Sequence, residues 1–434
     1  MTKAWGFRAE YAMKNRATII ILIIIILLLG GSIFVLSYLN KRNNELRFQE
    51  NVINEQHNME NQQENIIQEQ NDTTGPQENI ISAPDDINYT ENSITNQHEH
   101  NWVDGFCPEC GAKCSHSSHD YNGICELCGK QVWHEYIDGI CSCGRELQFV
   151  TGLLPEEYYG PCDQQGTTEV YLLNGHLDYA TPAEKQIEVY LPYGYNPEKK
   201  YDVLFMEGGL GNPFNAFVSK KQMIYYTEDH AISFQMKDIY DHMIKNGDCR
   251  PMIIVAIDGY SRTDKDERAL DGYEQSANFM KETTIPFIVE HYSTYAESKL
   301  PADIQAARNH FGVGGFSNGG YFAFWGGMRT LLDYVANFLP IAGSIRGAET
   351  GQYIADHPEF PVNALFCAAG QNDTAAYDQT LWDYQECIGY AGLEEGHNAW
   401  FVTQEYAHDW ETGVSATYNG MMVLFQNLDS NFVF

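Results

Sequence analysis

Phe311-Gly312-Val313-Gly314-Gly315-Phe316-Ser317-Asn318-Gly319 carries an apolar run into Gly-x-Ser-x-Gly, and Tyr321-Phe322-Ala323-Phe324-Trp325 resumes the run on the far side. This is the pattern of a buried strand that turns sharply into a helix entering the core, with a serine at the apex. Such a turn demands very small residues two positions before and two after the serine, because strand and helix backbones cross there. It also lifts the serine oxygen above the sheet edge. A pentapeptide alone is a weak signal, so the flanking segments and partners further along the chain decide its meaning.

Outward from this turn, strand-like and helix-like segments alternate from about residue 150 to the end, the mark of an α/β fold with a mostly parallel sheet. The apolar runs predict strands over 186–191, 201–206, 252–257, 311–315, 338–342, 364–369 and 400–405. Helices are expected over 273–292, 318–331, 377–390 and 415–428.

A serine at neutral pH is a poor nucleophile; a base must take its proton and a carboxylate must orient that base. In an α/β-hydrolase chain the order is Ser, acid, His, each at the C-terminal end of a strand. His408 follows the run 400–405 and is placed for the base, whereas His397 precedes that strand and His357 sits in a loop before the acid strand. Leu365-Phe366-Cys367-Ala368-Ala369 leads straight into Gly370-Gln371-Asn372-Asp373, so Asp373 is the expected acid, with Asp378 as the fallback inside the next helix. Asp409, beside the histidine, reads as structural. Donors for a developing oxyanion are expected from the backbone N–H of Asn318 and from the loop Gly208-Gly209-Leu210-Gly211, through Gly209 or Leu210.

Residues 165–434 resemble the esterase D group, which includes the bacterial feruloyl and acetylxylan esterases of the first carbohydrate esterase family. The matching stretches are Val189-Tyr190-Leu191-Pro192-Tyr193-Gly194-Tyr195, Lys200-Tyr201-Asp202-Val203-Leu204, Ile285-Pro286-Phe287-Ile288-Val289-Glu290-His291-Tyr292, the Ser317 turn, Gly370-Gln371-Asn372-Asp373 and His408-Asp409-Trp410. The resemblance implies an α/β-hydrolase that cleaves acyl groups from plant cell-wall polysaccharide through Ser317, Asp373 and His408 and an acyl-enzyme, with no cofactor for catalysis. Three departures surround the expected pocket. Gly208-Gly209 replaces a His-Gly, Tyr406-Ala407 stands where paired glycines are common, and Gly413 occupies the place of a second tryptophan. The same three residues would serve hydrolysis or transfer of other short acyl groups, and a catalytically inactive adhesion protein is the reading from another class.

Between 97 and 146 a short unit recurs three times: a histidine, an aromatic residue, a turn, then a Cys pair followed by Gly. The Cys pairs are Cys107/Cys110, Cys125/Cys128 and Cys141/Cys143. A Cys-x-x-Cys-Gly knuckle directs two thiolates at one metal, so a zinc-ribbon-like module with structural zinc is expected, with a disulfide framework as the rival. The candidate ligands group as His98, His100, Cys107 and Cys110; then Cys114 with His116 or His119, closed by Cys125 and Cys128; then His134, Cys141 and Cys143, whose fourth ligand is open.

Residues 17–39 hold unbroken Ile and Leu from Ile19 to Leu29 and stay apolar to Leu39, long enough for a transmembrane helix. A cleaved signal has a shorter apolar region and a small-residue cleavage site, so a retained single-pass anchor is expected. Lys3, Arg8, Lys14 and Arg16 before the span, against Lys41, Arg42 and Arg47 after it, place residues 1–16 in the cytoplasm and the rest outside the cell membrane. The Asn, Gln and Glu of 40–96 read as a disordered linker. A net charge of -33 repels phosphate backbones and excludes nucleic acid as a partner; polysaccharide or small acyl esters are the expected ones. The organisation is thus anchor, linker, Cys/His module over 97–146 and hydrolase over 150–434.

Overall fold

The computed structural model describes residues 118–120, 122–177, 181–208, 223–226, 231–257 and 270–426. All of them belong to the unit Gln97–Phe434. The expected anchor, the linker and the first Cys/His copy lie outside the described residues, among which no helix is long and apolar enough to cross a membrane.

Two short strands, β1 (Tyr136–Ile137) and β2 (Ile140–Cys141), pair in the third Cys/His copy. An eight-stranded sheet follows, built from β3 (Thr167–His176), β4 (Pro182–Leu191), β5 (Asp202–Glu207), β8 (Met252–Ile257), β9 (Phe311–Phe316), β10 (Asn337–Ile341), β11 (Ala364–Gly370) and β12 (Ala399–Gln404). A separate hairpin, β6 (Met223–Tyr226) with β7 (Ala231–Phe234), stands between β5 and β8 in the chain. The spatial order of the large sheet is β12-β11-β10-β9-β5-β8-β4-β3. Its first six strands run parallel and β4 and β3 close one edge antiparallel.

Strands in the middle of such a sheet are buried on both faces, which is why they read as continuous apolar runs. Along β5, Val203 and Phe205 enter one core cluster and Leu204 and Met206 the other, the period of two that a strand imposes. The first face is covered by α2 (Leu270–Phe279), α3 (Ile285–His291), α6 (Gly347–Ala355) and part of α7 (Tyr377–Ala391). On the second face lie α1 (Met236–Lys245) and α8 (Trp410–Val423). Two shorter helices, α4 (Pro301–Ala306) and α5 (Asn318–Tyr321), precede and follow β9.

Several described helices depart from the expected ones. The helix expected over 273–292 is α2 and α3 joined by a π-helical turn, Met280–Thr284. After Ser317 only α5 is α-helical, and Phe322–Thr330 continues it as a π-helix. The last helix starts at Trp410, five residues before the expected 415, because the Asp409 side chain accepts from the Thr412 N–H and caps it.

Candidate active site

β9 delivers Ser317 at its C-terminal end. The serine backbone sits at φ 58° and ψ -111°, a strained conformation for a non-glycine residue, held by its N–H donating to the Ile341 carbonyl at 2.8 Å. A Cβ on Gly315 would stand 2.5 Å from the Glu207 carbonyl oxygen, and one on Gly319 would stand 2.2 Å from the same atom. The two small residues are therefore required by the end of β5, against which the turn is pressed.

β11 ends at Gly370, and Asp373 follows in a turn that is tied to the end of β12 by Gln371 N–H to Gln404 O and to the loop after it by Asn372 N–H to Tyr406 O. That pairing brings the acid loop beside His408. His408 Nδ1 lies 2.5 Å from Asp373 Oδ2 and its Nε2 lies 2.7 Å from Ser317 Oγ. The other oxygen of the buried Asp373 carboxylate accepts from the N–H groups of Ala375 and Ala376, at 3.0 and 2.9 Å. Held on both oxygens, the carboxylate fixes the imidazole with one nitrogen toward itself and the other toward the serine. Ser317, Asp373 and His408 are thus brought together in hydrogen-bonding sequence at three strand ends. Asp378 lies in the first turn of α7, His397 faces Asp138 at 3.1 Å and His357 faces the Tyr353 carbonyl, so none of these joins the cluster.

Comparisons with known proteins bear on the fold. Residues 178–343 match the family described as "Putative esterase". Over 194 residues the chain is 37% identical to endo-1,4-beta-xylanase Y of Acetivibrio thermocellus, a stretch that is 44% of this chain and 15% of that protein. The chain therefore spans about 15% of the length of the curated relative it matches. A structure described as FAE is 26% identical with a TM-score of 0.53, covering 65% of this chain and 96% of its own. A mutant of the feruloyl esterase module from Clostridium thermocellum, complexed with sinapinate, is 25% identical with a TM-score of 0.52, covering 66% and 98%. The fold is that of an α/β hydrolase of the esterase kind.

In this fold Asn318 follows the nucleophile candidate directly and is buried, its side-chain oxygen accepting from the Tyr273 hydroxyl at 2.7 Å. That bond pins the first turn of α5, where the N–H expected to meet an oxyanion lies. Gly209 and Leu210 lie outside the described residues. The sequence held no sign of Tyr273, which is distant in the chain and part of no motif. Glu207, buried beneath the Ser317 turn at the end of β5, is marked in the sequence only by its place directly before Gly208-Gly209.

Of the metal-ligand candidates, His98, His100, Cys107, Cys110, Cys114 and His116 lie outside the described residues. In the second and third copies the glycine after each Cys pair adopts a left-handed backbone, Gly129 at φ 72° and Gly144 at φ 87°. Their N–H groups return to Cys125 O and Cys141 O, so both copies form the expected knuckle. His119, one of two histidines expected with Cys125 and Cys128, pairs along the backbone with Cys125 while its side chain reaches the third copy, Nε2 lying 3.2 Å from Cys141 Sγ. The two copies fold back so that the His119 and His134 rings lie 5.1 Å apart, which puts both histidines over one Cys pair. A histidine between two Cys pairs can reach either one, and spacing alone does not choose. Burial pushes the His134 imidazole down to about 4, reinforced by the charge of Arg145, which leaves it neutral with a lone pair to offer.

Proposed function

We propose that this chain is a serine esterase that removes feruloyl or acetyl groups from xylan-type polysaccharide, held at the outer face of the cell membrane by an anchor over residues 17–39. The observation that carries the reading is the hydrogen-bonded sequence Ser317, His408, Asp373 on a strained strand-to-helix turn. His408 Nε2 takes the hydroxyl proton as Ser317 Oγ attacks the ester carbonyl carbon, and Asp373 holds the resulting imidazolium. The carbonyl oxygen, now negative, receives the Asn318 N–H and a second donor from the Gly209–Leu210 loop. When the bond to the sugar oxygen breaks, His408 returns its proton to the departing alcohol. A water, deprotonated by the same nitrogen, then frees the acid from Ser317.

The substrate class is supported by the likeness to a feruloyl esterase module complexed with sinapinate and to a protein named as a xylanase. The test is turnover of methyl ferulate, acetylated xylan and 4-nitrophenyl acetate by the full chain and by Ser317→Ala. Turnover of ferulate or xylan esters, reduced roughly 10⁴-fold or more by Ser317→Ala, is expected. Activity confined to 4-nitrophenyl acetate would place the substrate among other short acyl esters. No turnover by folded protein would sink the enzymatic reading in favour of adhesion.

A further inference from the structure

We infer that His119, His134, Cys141 and Cys143 form one tetrahedral zinc site whose occupation fastens the Cys/His module onto the hydrolase. The donor atoms of these four side chains all lie within 4.8 Å of one another. Bonds of about 2.0 Å to nitrogen and 2.3 Å to sulfur put the N···S edges of a tetrahedron near 3.6 Å. His119 Nε2 to Cys141 Sγ is 3.2 Å and His134 Nδ1 to Cys143 Sγ is 3.5 Å, so the donors already stand at about the spacing a zinc ion needs. His134 is wholly buried and Cys141 almost so, and Cys141 and Cys143 are free thiols. Two imidazoles and two thiolates select zinc among the common divalent ions and fill its four positions. No position is left for an activated water, so the site is structural.

Its position states what it would hold. The His134 N–H donates to Gly247 O at 3.1 Å, beyond the end of α1, and its neighbour Trp133 lies against the Arg250 guanidinium at 5.1 Å. Two residues on, the Tyr136 N–H donates to Gln426 Oε1 at 2.7 Å, just past α8. Arg145, two residues after Cys143, pairs with the buried Asp248. The ligands are thus interleaved with the residues that dock on the hydrolase, and an ion binding all four fixes the spacing of that docking face.

The experiment compares the full chain, purified without chelator, with its Cys141→Ser/Cys143→Ser and His119→Asn variants, reading zinc by atomic emission. Other Cys/His copies contribute equally to all three proteins, so the difference reports this site. Loss of one zinc equivalent per chain is expected in the double variant. In His119→Asn, which keeps both thiols, release of one equivalent should occur at lower chelator concentration. Chelation should lower the unfolding midpoint of the unaltered chain more than that of the double variant. The same zinc content and chelator response in all three, or Cys141 and Cys143 recovered as a disulfide in the native chain, would overturn the site.

Discussion

At Gly319 the smallest difference between two side chains decides whether the Ser317 turn can form. An added Cβ would stand 2.2 Å from a backbone oxygen of β5, and no rotamer change can relieve a clash between a Cβ and a main-chain atom. Gly389, exposed within α7, is the contrasting case, with nothing within 4 Å of the position a Cβ would take. Gly319→Ala is therefore expected to cost about 1–3 kcal/mol and to displace the serine. Gly389→Ala should add about 0.5–1 kcal/mol, because a mid-helix glycine loses more chain entropy than alanine. Urea unfolding of both variants, with turnover of 4-nitrophenyl acetate, checks the opposite signs. A harmless Gly319→Ala would mean that the turn is not pressed against β5 as described.

Among the secondary-structure elements, α8 shows how a helix start positions a neighbouring side chain. Asp409 accepts from the Thr412 N–H through one oxygen and from the Ala407 N–H through the other, each at 3.1 Å, while Thr412 Oγ1 donates to Ala407 O. His408 is enclosed by these bonds on both sides in the chain. Asp409→Ala should cost about 1 kcal/mol through the lost cap and lower turnover more than it alters substrate affinity. Asp409→Asn, which keeps one acceptor, should fall between the two; calorimetry and steady-state kinetics distinguish the three proteins, and full activity in Asp409→Ala would break the link between cap and base. What could be read from the sequence divides on the same physical line. Strands buried on both faces announce themselves as apolar runs, and β9, β11 and β12 end beside Ser317, Asp373 and His408 because a parallel sheet collects its strand ends on one edge. Helix α1 carries an uninterrupted stripe of Met236, Ile239, Tyr240, Met243 and Ile244 at helical spacing and was legible in the sequence; what the pattern does not give is the burial of Lys237 and Asp241, which their 2.5 Å pair permits. Strand β3 is hard to read because it lies at the sheet edge with Val170 and Leu172 outward and Tyr171 and Leu173 inward, so apolar residues on both faces hide the alternation. The approach of His119 to Cys141 is not legible in the sequence, since it depends on how two copies of a repeat stack, which is a tertiary fact.

For the whole molecule, the decisive observation is that the boundary expected at residue 150 cuts through packed structure. Tyr136 and Cys141 lie in the same core cluster as α1 and α8, and Leu147, Phe149 and Val150 pack against it, with the Phe149 ring edge-on to Phe366 at 5.5 Å. Val150 and Asn419 exchange two hydrogen bonds of 2.8 and 2.7 Å. A chain beginning at 150 would strip the buried Asp248, Arg250 and Gln426 of Arg145, Trp133 and the Tyr136 N–H respectively. Asp248 keeps the Tyr158 hydroxyl and Arg250 keeps Asp202 and the Phe425 carbonyl, so the buried Gln426 oxygen is the group left unpaired, at about 1–3 kcal/mol. The lost packing of Tyr136, Cys141, Leu147 and Phe149 brings the expected loss to roughly 3 kcal/mol or more. For a hydrolase of this size that corresponds to a fall in Tm of about 6–12 °C. The chain from 97 onward retains every one of these contacts and should unfold where the full chain does. Thermal unfolding of residues 97–434 beside residues 150–434 makes the comparison. Equal midpoints would show that the Cys/His module adds nothing to the hydrolase's stability, whereas the expected gap would make the module part of the hydrolase's own fold.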